Sequence, residues 1–207
     1  MPKEKLKKGE TTRLAIEDAA LKLYMEQGYH ATSMRQIADA AGLALGGIYN
    51  HFKSKEEIFQ AIIIDKHPYK KILPVILATE SENLEDFLKN AMQIVIKELG
   101  SETYYMKLLF IELIEFEGKH GAILLKKIAP DILPVFERLI KSRKDLRITN
   151  PAMLMRSFFG MILSYFVTDM LMADSILNKL MPKNPADTYV DIILHGVLKS
   201  EARLSNV

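Results

Sequence analysis

The chain has 207 residues, 49% of them hydrophobic, which is ample for a packed core and excludes disorder as its overall class. With no cysteine it has no disulfide framework, thiolate metal site or thiol nucleophile. The net charge of +2 is unevenly spread: up to Lys55 nine bases stand against six acids, a balance of +3, whereas the rest carries nineteen bases and twenty acids, a balance of −1. Residues 1–10 are charged and lead into no apolar stretch, unlike a signal peptide, and the longest apolar run, Phe158 to Val167, is short for a bilayer. A cytoplasmic protein without a membrane anchor is expected.

Thr11 or Thr12 caps a first helix reaching about Gln27, where Gly28 stops it; Ile16, Ala19, Ala20, Leu23 and Tyr24 recur on its inner face. Thr32 or Ser33 caps a second helix carrying Ile37 and Ala41. Gly42 supplies a tight turn, and a third helix covers about Leu45 to His51. Ser54-Lys55-Glu56-Glu57 reads as a capping box opening a fourth helix that Pro68 ends or bends. Beyond it, apolar stripes predict helices from Leu84 to Gly100 and from Glu102 to Glu117, then a short piece from Gly121 to Ala129. Pro130 opens a helix to about Lys144, Asn150 caps one to about Asp174, and a last one spans about Ala186 to Leu204. The class is all-α, with about nine helices: a basic arm over residues 1–10, a three-helix unit over 11–54 and a larger bundle over 55–207.

The short helix, Gly42 turn and short helix within residues 33–52 have the order of parts of a helix-turn-helix, in which the second helix enters a DNA groove. Leu23, Tyr24, Ile37, Ala38, Ile48 and Phe52 are spaced to form its core. Ser33, Met34, Arg35, Ala44, Leu45, Gly46, Gly47, Tyr49, Asn50, His51 and Lys55 form the candidate DNA surface. Tyr49 and His51 offer donors to phosphate, and Lys55 sits in the first turn of a helix whose free N–H groups favour an anion. Ala44 to Gly47 have no side-chain donor for a base edge, so direct readout rests chiefly on Arg35 and Asn50, with DNA shape supplying the rest. The arm from Lys3 to Lys8 reads equally as a phosphate-seeking extension or a solvated tail.

These residues resemble the TetR family of transcriptional repressors. The resemblance is carried by Ala19-Ala20-Leu21-Lys22-Leu23-Tyr24, Gly28-Tyr29-His30-Ala31-Thr32-Ser33, Ile37-Ala38-Asp39-Ala40-Ala41-Gly42 and Gly46-Gly47-Ile48-Tyr49-Asn50-His51-Phe52-Lys53-Ser54-Lys55-Glu56, roughly the first third of the chain. Several spaced motifs in order are specific where one alone is not. Asp145-Leu146-Arg147 before Asn150-Pro151 is similar to a weaker feature that precedes the family's dimerisation helix. The chain departs at Ala44 and Leu45, where the family often has a small hydroxyl residue and a polar one. The resemblance implies a ligand-responsive regulator, a repressor that binds a palindromic operator as a dimer and is released by a small, largely apolar inducer, with no cofactor.

The helix from Pro151 has a broader apolar face than one core requires. Gly160, Ser164 and Tyr165 on it, with Tyr189, Ile193 and Val197 on the last helix, are candidates for a homodimer interface. Met92, Tyr105, Phe110, Phe116, Phe158, Phe159 and Met161 are large and adaptable, and serve either as plain core or as the lining of a regulatory pocket. Glu112 and Glu115 interrupt an apolar run and are expected to face solvent. Two other classes compete. Glu117-Gly118-Lys119-His120 has the Glu-x-x-His spacing of carboxylate-bridged metal enzymes, but no second copy accompanies it and glycines place it at a helix end. A helical scaffold that binds protein or a small molecule is the other, and the basic head piece argues against it. No enzyme and no metal site are expected.

Overall fold

The computed structural model describes residues 8–79, 84–101, 104–142, 149–182 and 184–197. Among them are ten α-helices: α1 Lys8–Gln27, α2 Met34–Ala40, α3 Leu45–Ile48, α4 Lys55–Asp65, α5 Tyr69–Ala78, α6 Leu84–Gly100, α7 Tyr104–Glu115, α8 Lys119–Ser142, α9 Pro151–Met172 and α10 Pro185–Val197, with a 3-10 turn over Ile176–Leu180. The arm from Lys3 to Lys7, Glu102, the Asp145-Leu146-Arg147 feature and the expected ends at Lys144 and Leu204 lie outside the described residues.

Two compact units divide the chain: residues 1–67 with 107–124, and residues 68–106 with 125–207. The division differs from a border at 54/55, because α4 and the segment 107–124 belong with the head piece.

Local signals explain most boundaries. Ser33 Oγ accepts from the Gln36 N–H at 3.2 Å while Gln36 Oε1 accepts from the Ser33 N–H at 2.8 Å, a complete capping box for α2. At α4, Ser54 Oγ accepts from the Glu57 N–H at 3.1 Å, but Glu57 Oε2 accepts from the N–H of Lys53, one residue before the cap, at 2.6 Å. Asn150 Oδ1 accepts from Ala152 and Met153, and Pro151 fits the first turn of α9, where no N–H is needed. Gly28 and Gly42 take left-handed φ values of +87° and +71°. Gly42→Ala forces a β-carbon into that conformation and is expected to lower stability by about 1–2 kcal/mol, read as a shift in the urea midpoint.

Four boundaries differ from expectation. α1 begins at Lys8, so the last residues of the basic arm are already helical. α3 is a single turn, because Gly46 and Gly47 disfavour propagation and turn geometry takes over from Tyr49. α5, which follows Pro68 directly, has no counterpart in the sequence reading. Pro130 and Pro134 lie inside one continuous α8, where a piece ending at Ala129 and a new start at Pro130 were expected. Each proline removes a helix hydrogen bond; burial of Leu124, Ile128 and Phe136 holds the helix through the gap.

In the first unit α1 packs on α2 and α4 around Ile16, Ala20, Tyr24, Ile37, Ala38, Ile48 and Phe52, all 2% exposed or less. In the second, α6 packs on α5, α9 and α10; Met92, Phe158 and Val190 lie within its core. α9 is long and apolar enough to cross a membrane by length and composition, although the Phe158–Val167 run alone is not, and its Leu154, Phe158 and Ile162 are buried in that core.

Candidate nucleic-acid interface

The geometry of the head piece follows from two hydrogen bonds at the turn and two buried anchors beyond it. Leu43 N–H reaches the Ala38 carbonyl at 2.9 Å and Gly42 N–H the Asp39 carbonyl at 3.1 Å, which ends α2 and redirects the chain into α3. Ile48 and Phe52, both fully buried, anchor the inner side of α3 and its exit. The outer side is thereby fixed: Ala44, Gly46, Tyr49 and Asn50 are exposed, and across the turn so is Arg35. Tyr49 is 50% exposed although its neighbour Ile48 is sealed, so its ring stands off the core. Among the described residues the side chains of Arg35, Tyr49 and Asn50 make no hydrogen bond, leaving their donors available to a ligand.

Other candidates are engaged internally. The Ser33 hydroxyl works in the α2 capping box. Met34, Leu45, Gly47 and His51 are only partly exposed. The Lys55 ammonium donates to the carbonyls of Tyr29 at 2.6 Å and Thr32 at 2.8 Å, and lies 4.1 Å from the centre of the Tyr29 ring. Burial pushes its pKa down, partly offset by Glu115. Lys55 thus ties the α1–α2 loop to the start of α4, with one ammonium hydrogen left for a phosphate.

Within this unit, residues 107–124 pack against the α1–α2 loop and α4. Glu112 is buried, contrary to the expectation that it faces solvent: its Oε1 accepts from the backbone N–H groups of His120 at 2.6 Å and Gly121 at 2.8 Å, and its Oε2 lies 2.9 Å from His120 Nδ1. His120 is fully buried, with Nε2 3.4 Å from Glu56 on α4. Glu115, partly exposed, pairs with His30 of the α1–α2 loop, and Lys119 with Glu56 at 2.6 Å. Tyr29, Phe59, Phe116 and His120 form an aromatic cluster, the Phe59 and Phe116 rings stacking at 4.9 Å. Burial, with help from Glu56 and Glu115, pushes the Tyr29 phenol up to about 12. In the Glu-x-x-His stretch, His120 pairs with Glu112 rather than Glu117, and no cluster suited to a metal ion occurs among the described residues.

The candidate pocket residues divide between the units. Phe110 and Phe116 belong to the first; Met92, Tyr105, Phe158, Phe159 and Met161 to the second. Met92 and Phe158 are core, Phe159 is 38% exposed, and Tyr105 packs against Tyr104 with ring centres 4.4 Å apart. None of them lines the cavity of about 520 Å³ between α9, the Met181–Pro182 segment after the 3-10 turn, and α10. Tyr165, Asp169, Met172, Met181, Tyr189 and Ile192 are among the residues that do. Tyr165 and Tyr189 meet edge to face at 5.9 Å and 89°, turned to each other within the chain. Gly160 and Ser164 are exposed, Ile193 packs partly buried against the core, and the Val197 side chain lies outside the described residues.

The sequence reading also passed over the Arg13–Glu17 ion pair on α1, 3.3 Å between Nε and Oε1, whose i,i+4 spacing was the available signal.

The sequence model described as "Bacterial regulatory proteins, tetR family" matches residues 16–62. The HTH-type transcriptional regulator AcrR of Shigella flexneri is 42% identical over 62 residues, 30% of this chain and 29% of AcrR. The chain thus aligns with only about three tenths of that relative's length. The fold extends much further. NalD, the secondary repressor of the MexAB-OprM multidrug efflux pump in Pseudomonas aeruginosa, superposes with a TM-score of 0.65 at 21% identity, covering 92% of this chain and 98% of NalD. SmeT in its triclosan complex gives 0.64 at 24% identity, covering 92% and 93%. Residues 16–62 thus match the tetR family of bacterial regulatory proteins in sequence, and nearly the whole chain shares the fold of NalD and SmeT.

Proposed function

We propose that the protein is a ligand-responsive transcriptional repressor that binds an inverted-repeat operator as a homodimer. The observation that carries the reading is the surface around the α2–α3 turn, where Arg35, Tyr49 and Asn50 project unpaired from a rigid buried frame in the basic third of the chain. Arg35 and Asn50 reach base edges, Tyr49 and the remaining Lys55 hydrogen serve phosphates, and Ala44 and Leu45 touch thymine methyls. The positive balance of residues 1–55 supplies the non-specific attraction.

One head piece covers few base pairs, so tight binding needs two related by a two-fold axis. Met153, Leu163, Met170 and Leu171 leave α9 with an exposed apolar face, 40–73% accessible, which a second copy would cover around Gly160 and Ser164. The cavity beside Tyr165 and Tyr189 has the size of a small-molecule site, and its methionines suit a largely apolar inducer. Such a ligand releases DNA only if it binds one spacing of the two head pieces more tightly than the other.

Fluorescence anisotropy with a labelled random-sequence duplex tests the reading. Association is expected to weaken by about 10³–10⁵ between 50 and 200 mM salt, the signature of several neutralised phosphates. No binding at the lower salt would contradict it.

A further inference from the structure

We infer that Arg13 and Glu17 on α1 form a brace that sets the pose of the recognition helix, making them positioning residues for sequence discrimination. The inference rests on the DNA-reading assignment above.

α3 does little to hold itself. It has one turn, two of its four residues are glycine, and Ala44 provides no side-chain cap. Its exit, from which Tyr49 and Asn50 project, is secured from outside. The Arg13 guanidinium lies over the Phe52 ring, 4.1 Å from its centre, and its Nη1 donates toward the His51 carbonyl at 3.5 Å, the long end of the range. Arg13 therefore grips the two residues that follow Asn50. Its own orientation is set by Glu17, whose Oε1 is 3.3 Å from Arg13 Nε.

Glu17 is the telling residue. It is 1% exposed, and its second carboxylate oxygen has no hydrogen-bond partner. A carboxylate buried with half its capacity unused is a poor choice for stability, since apolar residues of similar volume usually do as well or better than a buried ion pair. Burial accordingly raises its pKa despite the opposing charges of Arg13 and Lys66. What the pair supplies and a methyl group does not is direction. A planar guanidinium pinned through Nε presents one face to Phe52 and one N–H edge to the His51 carbonyl.

The test selects binding sequences from a random-duplex library using full-length protein, with anisotropy on unselected duplex alongside. Arg13→Lys keeps the charge, so the salt dependence on unselected duplex stays that of wild type while preference for the selected sequence falls about tenfold, the worth of one misplaced base contact. Arg13→Met/Glu17→Met removes the buried charge together with its partner and is expected to melt no lower than wild type, yet to lose the same tenfold. Stability and discrimination then separate, which a purely structural pair does not allow. A double variant that discriminates as wild type does overturns the inference alone. Wild-type protein that binds no duplex overturns the DNA-reading assignment, and this inference with it.

Discussion

Replacing Glu112 by alanine is expected to destabilise the first compact unit by about 3–5 kcal/mol, the usual cost of removing one partner from a buried charged network. Three groups depend on this carboxylate: the N–H groups of His120 and Gly121, at the start of α8, and the His120 ring. The two His120 groups lie where water does not reach, His120 being fully buried, so neither regains a partner when the carboxylate goes, while the Gly121 N–H is only partly buried. The N-terminus of α8 also loses a negative charge placed where the helix dipole favours one. Glu112→Gln keeps one oxygen for the two backbone donors and sets an amide against the imidazole, so its cost falls between wild type and alanine. Urea unfolding followed by circular dichroism reads both, and the order wild type, Gln, Ala is the expected result. Alanine within 1 kcal/mol of wild type would mean that the cluster contributes nothing.

Acid is expected to weaken the fold through His67. Burial pushes this imidazole down from 6.5 to about 4. Between those two values the unfolded chain binds a proton that the folded chain refuses, so stability falls as pH drops through the window and levels off below it. A shift of this size corresponds to roughly 3 kcal/mol at full development. Because His67 immediately precedes Pro68, at the boundary between the two compact units, the loss begins at the end of α4. Unfolding midpoints measured at pH 7 and pH 4.5 show the effect, and His67→Gln, which does not titrate, removes this part of the difference. An unchanged pH dependence in that variant would assign the acid sensitivity to other groups.

What the sequence disclosed and what it withheld divide along physical lines. Ser33, Ser54, Asn150, Gly28 and Gly42 act on their immediate neighbours, so their caps and turns were readable from a few residues of context. The core of the head piece was readable because helical periodicity places Tyr24, Ile37, Ile48 and Phe52 inside. The continuity of α8 through Pro130 was not, since tertiary burial outweighs a local breaker. Nor was the side-chain partner of Lys55: its spacing suggests a phosphate ligand, whereas the carbonyls of Tyr29 and Thr32 that take up its ammonium are brought near only by the fold. Glu112 misleads for the same reason. A charge in an apolar run reads as surface until the helix that buries it, eight residues on, is in place. Arg13 and Glu17 are spaced as an i,i+4 pair in the sequence, and only the fold buries Glu17 and sets the Arg13 guanidinium over Phe52.

Sedimentation of the wild-type protein with a duplex that it has itself selected from a random library tests the central claim most directly. Two protomers per duplex, on a sequence with an inverted repeat, are expected. A monomer that sediments apart from DNA, or a single protomer on a site without symmetry, would contradict the account.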